Sequence, residues 1–304
     1  MRPTLGINTC FAVKRWPRPE DWAPIVRDRL GLALVQHSLD LVDPAAPLDA
    51  SAAAVRTAVA EAGLDVHSTF TGLAAYSANL LLDPDEAARE RATRWFETVI
   101  DLTARVGGLA TGGHVGAFSV PDWTAPARRQ ALWQDLESRL SRLAAKARSS
   151  GLDYLVVENL AAAREPSTIA GFEELLADGD DTRVPIRLCL DVGHMCVPGT
   201  TGDDRDPYAW LRRFATRAPM VQLQQSDAEG DHHWPFTPER NLEGRIDADH
   251  VLDALEDGGA DDVALILEVI PPFEQDDEAV LEDLVASVDY WRAALARRGF
   301  GEAG

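Results

Sequence analysis

The sequence predicts an α/β protein of the (β/α)8, or TIM, barrel class, with a single domain spanning residues 1–304. Three observations carry that reading. Strand-like apolar runs alternate with helical stretches almost to the end of the chain, which implies a parallel sheet covered by helices. Eight such units fit within 304 residues, the number and size expected of one closed barrel. The first turn, Asn8-Thr9-Cys10-Phe11, also lacks a G-x-G-x-x-G pattern. A doubly wound open sheet, the competing architecture, would more often carry that pattern there.

The elements follow in order. Residues 4–9 read as the first strand and 20–30 as an amphipathic helix. Residues 33–38 form the second strand, and 49–62 an Ala-rich helix. Residues 64–70 are the third strand, followed by a long helix that opens at Pro84-Asp85-Glu86 and runs to Val106. Residues 109–113 make a weak, Gly-rich fourth strand, and 123–150 a long helix ending before Gly151. Tyr154 to Val157 is apolar throughout, as a strand covered on both faces should be. Ser167 is placed to cap a short helix ending at Leu176. Strands six to eight cover 186–191, 220–225 and 263–269. Their helices cover 208–215, 248–256 and 277–296. The polar stretches 178–182 and 199–206 are too short to be domain linkers.

Composition narrows the function. Fifty acidic residues against 29 basic ones give a net charge of −21. That balance argues against nucleic acid or a membrane surface as partner, because phosphate backbones call for a basic footprint. Three sparse cysteines, Cys10, Cys189 and Cys196, do not form a disulfide framework and suit a reducing cytoplasm. The N-terminus lacks the apolar stretch of a signal peptide, and the longest apolar runs are of strand length, far short of the ~20 residues of a membrane span.

In such a barrel the site lies at the C-terminal ends of the strands. Six of the seven histidines are read as lying at strand ends or just beyond, with only His250 in a helix. They include His67 on strand three, His114 after strand four, and His194, His232 and His233 in later loops. The carboxylates say more. Glu158, Asp191 and Glu268 each follow an apolar strand run. Burying such charges unpaired is costly, and three at one mouth would repel. A divalent cation resolves that repulsion. Mn²⁺ suits this donor set first, with Mg²⁺ or Co²⁺ as further fits. Thirty-three residues separate Glu158 from Asp191, and 33 more separate Asp191 from Gln224, about one β/α unit each.

Together these motifs resemble the xylose-isomerase-like TIM barrels of the sugar-phosphate isomerase/epimerase group, in particular ketose 3-epimerases. The pieces are Val156-Val157-Glu158-Asn159, Arg164-Glu165-Pro166-Ser167-Thr168, Leu190-Asp191-Val192-Gly193-His194 and Leu267-Glu268-Val269, in that order. The resemblance implies one divalent metal ion held by Glu158, Asp191 and Glu268, and a substrate contact at His194. Strand seven departs from the pattern. Gln224 stands where the family usually has His, with Asp227 three residues on. Gln222, on the same face, is the alternate, and His232 or His233 could reach in. The resemblance also implies that Glu158 and Glu268 are the acid/base pair. One would remove the proton beside a carbonyl and the other return it, through a cis-enediolate.

The substrate implied is a short ketose or its phosphate. Lys14-Arg15, after strand one, could clamp a phosphate or carboxylate, which narrows the reading to a tetrulose or pentulose phosphate. Arg164 could do the same, and the loop carrying His232 and His233 could cover a sugar. Two alternatives share the barrel. One is a lyase, a dehydratase or decarboxylase of an oxo-sugar acid using the same metal site. The other is a non-catalytic sugar-binding barrel. An endonuclease IV-like phosphodiesterase is disfavoured by the −21 charge. Exposed tryptophans would allow a homo-oligomer.

Overall fold

Eight parallel strands close on themselves in chain order in the computed structural model, which describes residues 1–43 and 45–300. They are β1 (Arg2–Asn8), β2 (Leu34–Ser38), β3 (Asp65–Phe70), β4 (Ala110–Gly113), β5 (Tyr154–Glu158), β6 (Ile186–Asp191), β7 (Met220–Leu223) and β8 (Asp262–Leu267). β1 pairs with both β2 and β8, which closes the barrel. The expected fold class is therefore the observed one.

Side chains alternate between the barrel interior and the helix layer. Phe70, Val156, Cys189, Met220, Ala264 and Ile266 pack together inside. Their outward neighbours Leu155, Leu190, Val221 and Leu265 join a larger core with the helices, which also contains Trp22, Trp210 and Trp291. Counting by twos from the inner cluster up each strand leads from Val156 to Glu158, from Cys189 to Asp191, from Met220 to Gln222 and Gln224, and from Ile266 to Glu268. The alternation of the pleat thus points all these polar groups into the mouth. The three core tryptophans are buried, so they present no surface for self-association; among the described residues Trp95 is the tryptophan exposed by a third or more.

Four sequence expectations need correction. The stretch 123–150 is two helices, Val120–Thr124 and Pro126–Ser149. Pro126 forces Ala125 out of helical geometry, to ψ 97°. The cap of the helix Ile169–Leu175 is Thr168, not Ser167; the Thr168 hydroxyl accepts from the Gly171 amide. The stretch 20–30 begins as Pro19–Pro24 and continues as a wide π-type turn, Ile25–Arg29. Finally, β7 and β8 end earlier than expected, so Gln224 and Glu268 stand just past their strands.

Part of the acidic excess is used at helix starts. Asp85, Asp206, Asp247 and Asp276 each accept a backbone N–H there, where the helix dipole favours negative charge. No helix among the described residues is long and apolar enough to cross a membrane.

The weak pattern of β4 has a steric cause. Gly112 has φ 147°, and a Cβ there would sit 1.9 Å from the Val156 carbonyl oxygen on β5. Gly112→Ala is expected to cost on the order of 3–5 kcal/mol or to prevent folding. Denaturant titration checks this, and a wild-type midpoint would count against it.

Candidate active site

Each of the three carboxylates has one oxygen pinned by the protein and a second turned to the mouth. Glu158 Oε2 accepts from the Tyr76 hydroxyl at 3.1 Å, while Oε1 is buried without a hydrogen bond. Asp191 Oδ1 accepts from the Gly193 amide at 2.6 Å and from Gln224 Nε2 at 3.0 Å, while Oδ2 is buried and unpaired. Glu268 Oε1 accepts from Asn8 Nδ2 and Gln222 Nε2, both at 2.8 Å, leaving Oε2 to face His233 Nδ1 at 3.8 Å. Beneath the glutamates Gln36 joins this amide layer, its Oε1 accepting from Asn8 and Gln222.

Two imidazoles complete the cluster. His194 Nδ1 lies 2.7 Å from the Asn159 carbonyl, and His233 Nδ1 lies 3.1 Å from the Glu268 carbonyl. A carbonyl only accepts, so each Nδ1 carries the hydrogen and each Nε2 is aimed inward. Both Nε2 atoms converge on Asp231 Oδ1, at 3.3 and 3.1 Å.

The electrostatics follow. Burial pushes Glu158 up to about 8, with His194 opposing and Asp191 adding to the rise. Burial likewise raises Glu268 well above the usual carboxylate range, with His233 opposing. For His233 burial works downward, but Asp231 outweighs it and the imidazole rises to about 9. His194 also rises, its acidic neighbours overcoming burial. Asp231 is held far below the usual range by the two imidazoles in spite of burial.

This donor set fits a divalent cation. Glu158 Oε1 and Asp191 Oδ2 are buried carboxylate oxygens without a hydrogen bond, a state a cation relieves. Asp191, His233 and Glu268 bring ligand atoms within 4.8 Å of one another, as do Glu158, Asp191 and His194.

The other expected residues are distributed unevenly. Gln224 stands beside the cluster, but its oxygen accepts the His233 backbone N–H at 2.6 Å, and its amide donates to Asp191 and Asp231. Gln222 also faces Glu268 with its N–H₂, while its oxygen faces the Cys189 thiol. As they stand, both glutamines turn their N–H₂ groups to the carboxylates. Gln224 packs so tightly against Gly193 that a Cβ there would meet Gln224 Cδ at 2.3 Å. His232 is drawn off to Asp227 at 2.9 Å and stacks on Trp234 at 4.0 Å. His114 lies at the mouth, stacked on Tyr76 with ring centres 4.4 Å apart, and burial holds it down to about 4.

Three expected substrate contacts are engaged elsewhere. Early in β3, His67 Nε2 pairs with the hydroxyl of Tyr154, the first residue of β5, at 3.2 Å. It therefore lies at the N-terminal end of the barrel, opposite the mouth. His67→Ala is expected to leave solvent exchange of a ketose phosphate within about twofold of wild type, as a proton NMR time course would show. Arg15 is bound to Asp277 and to the Pro272 carbonyl. Arg164 is bound to the Phe118 carbonyl. Lys14 is different. It is exposed at the rim, with Nζ 3.9 Å from the Phe273 ring centre and no carboxylate within ion-pair distance among the described residues.

Sequence reasoning missed Tyr76 and Asp231 as site residues. Tyr76 sits in a short turn of no distinctive pattern. Asp231 was visible only as part of an aromatic loop. That loop returns to β7 by pairing Gln225 with Trp234, which brings Asp231 and His233 inward. His233 takes a left-handed backbone, φ 49°.

Comparison with known proteins decides the family. The model of the xylose isomerase-like TIM barrel family matches residues 28–290. The chain belongs to this family. Within it, the chain is 30% identical over 299 residues to D-erythrulose 1-phosphate 3-epimerase of Brucella abortus (strain 2308), covering 96% of each protein. A crystal structure of a xylose isomerase candidate from Rhodospirillum rubrum ATCC 11170 superposes with a TM-score of 0.87 at 36% identity, covering 95% of this chain and 98% of that one. D-psicose 3-epimerase from Clostridium cellulolyticum H10 shares the family's fold, at TM-score 0.71 and 15% identity, with 96% and 99% covered.

Proposed function

We propose that this chain is a divalent-metal-dependent 3-epimerase of a short ketose phosphate, with a tetrulose 1-phosphate as the narrowest reading. The observation that carries it is the pair of buried glutamates from β5 and β8, each with one oxygen pinned and one free at a cation-ready cluster. The similarity to a tetrulose phosphate 3-epimerase along nearly the whole chain supports the substrate class.

Glu158, Asp191, Glu268 and His233 Nε2 would hold the cation, with Gln224 keeping His233 and Asp191 in place. Mn²⁺ is the first choice for this mixed oxygen and nitrogen set. When bound, the ion supplies the positive charge that stabilises enediolate oxygens. The protein's own residues do the rest. In a 2-ketose, C3 carries the acidic hydrogen beside the C2 carbonyl. One glutamate takes that proton through the carboxylate oxygen not given to the cation, the C–H electron pair becomes the C2–C3 double bond, and the C2 carbonyl π pair moves onto oxygen. The other glutamate delivers a proton to the opposite face of C3, which inverts it. His194 Nε2 is placed to meet a substrate oxygen. Lys14, the rim cation without a carboxylate partner among the described residues, is assigned to the phosphate.

The test is incubation with D-erythrulose 1-phosphate in D₂O with Mn²⁺, Mg²⁺ or Co²⁺. Deuterium at C3 and appearance of the L-epimer are expected, both dependent on the ion. Loss of water or carbon dioxide from an oxo-sugar acid, without such exchange, would establish a lyase instead. No turnover and no ion uptake would leave a non-catalytic barrel.

A further inference from the structure

Tyr76 lies in the turn Leu73–Ser77 that follows β3. The turn is tied to the neighbouring loop, because the Asp40 carboxylate accepts from the Leu73 and Ala74 amides at 2.6 and 3.0 Å. The outer part of Tyr76 is open to solvent, with 39% of the residue exposed. Its inner end reaches Glu158 Oε2 at 3.1 Å, and its ring lies on His114 at an interplanar angle of 18°. Together with Cys10, His233 and Glu268, Tyr76 lines a cleft of about 290 Å³.

The two glutamates are therefore held in different ways. Glu268 is oriented from below by Asn8 and Gln222, which are fixed in the strand ends. For Glu158 the hydrogen-bond donor is Tyr76, and it comes from a loop over the mouth. An ionised carboxylate oxygen only accepts, so the Tyr76 hydroxyl is the donor of this bond.

We propose that Tyr76 is the positioning residue for proton transfer at Glu158. By donating to Oε2 it fixes the carboxylate's rotation, so that one oxygen faces the cation cluster and the other stays in line with C3. This rests on the acid/base assignment of Glu158 made above. No proton leaves Tyr76 in the step; the C3 proton passes to the Glu158 carboxylate and its electron pair stays on the substrate. A carboxylate free to rotate would lose the alignment that efficient proton transfer needs.

Tyr76→Phe keeps the ring on His114 and removes only the hydroxyl. The readout is deuterium uptake at C3 in each recovered epimer, D- and L-erythrulose 1-phosphate, with Mn²⁺. Each epimer presents its C3 hydrogen to a different glutamate, so the defect should be one-sided. Exchange in one epimer's pool is expected to fall about 10- to 100-fold, with exchange in the other pool within about threefold. KM should stay within about twofold because the ring remains, and Mn²⁺ affinity by calorimetry should fall by no more than about 10-fold, because Glu158 itself remains. Wild-type exchange in both pools would overturn the proposal and make the ring a mere wall. An equal fall in both pools would also overturn it, since the hydroxyl would then act on the whole site. Glu158→Gln run in parallel separates the two claims. If it retains wild-type exchange in both pools, the acid/base reading fails; if it loses exchange in one pool while Tyr76→Phe is normal, only the role of Tyr76 fails. A thermal melt of Tyr76→Phe confirms that it folds.

Discussion

Glu158→Gln and Glu268→Gln should each lower interconversion of D- and L-erythrulose 1-phosphate by about 10³-fold or more, the upper part of the range for general acid–base groups. The change is nearly isosteric. In Glu158→Gln the new amide oxygen can still accept from Tyr76, and in Glu268→Gln it can still accept from Asn8 and Gln222. Loss of activity would therefore report lost proton transfer and weakened cation binding rather than collapse of the mouth. The two variants should also differ from each other. Each retains one competent base, so residual exchange should appear in opposite epimer pools. Proton NMR of the recovered sugar phosphates in D₂O reads this directly. If both variants kept wild-type exchange, neither glutamate would be part of the chemistry.

The second large effect concerns the cation. Mn²⁺ at about a hundredfold its dissociation constant should stabilise the fold by about 2.7 kcal/mol. For a chain of this size that is a rise in Tm of roughly 4 °C, reversed by a chelator. Asp191→Asn and His233→Ala should each weaken Mn²⁺ binding by about 100-fold or more and remove most of that rise. Gln224→Ala should cost only about 10-fold, as expected of a residue that holds ligands rather than being one. Calorimetric titration of the three variants ranks them. A larger loss for Gln224→Ala than for His233→Ala would give the fourth ligand position to Gln224 and return His233 to the substrate side.

Much of this site was legible before the fold was known, for a definite physical reason. Glu158, Asp191 and Glu268 each close an apolar strand run, and the pleat's period of two fixes which way they point. Strand direction then puts all three at one end. The residues that were misread depend on something a local pattern does not contain. His67 was placed by its strand but not by its position along it, and two or three residues at the start of β3 separate the floor of the barrel from its mouth. The pair Lys14-Arg15 reads as one positive patch, yet Arg15 finds a carboxylate in the last helix, 262 residues away, while Lys14 does not. Ser167 and Thr168 are both good capping residues, and only the backbone decides between them. Strand seven was the deepest ambiguity. Its glutamines read as a weakened ligand because the imidazole that faces the cluster arrives from a loop that folds back through Gln225 and Trp234.

That fold-back limits how this enzyme can be changed. Residues 226–233 supply an imidazole to the cluster and also line the cleft where a substrate would rest. In many barrels the loops are interchangeable modules, so recognition can be redesigned while the reaction centre on the strands stays intact. Under the proposed function one module would carry both tasks. Exchanging it with that of a relative would alter selectivity and ion retention together. Libraries aimed at new sugars should instead diversify single positions such as Cys10 and Leu73, which border the same cleft without supplying a ligand, and keep Tyr76 and Lys14.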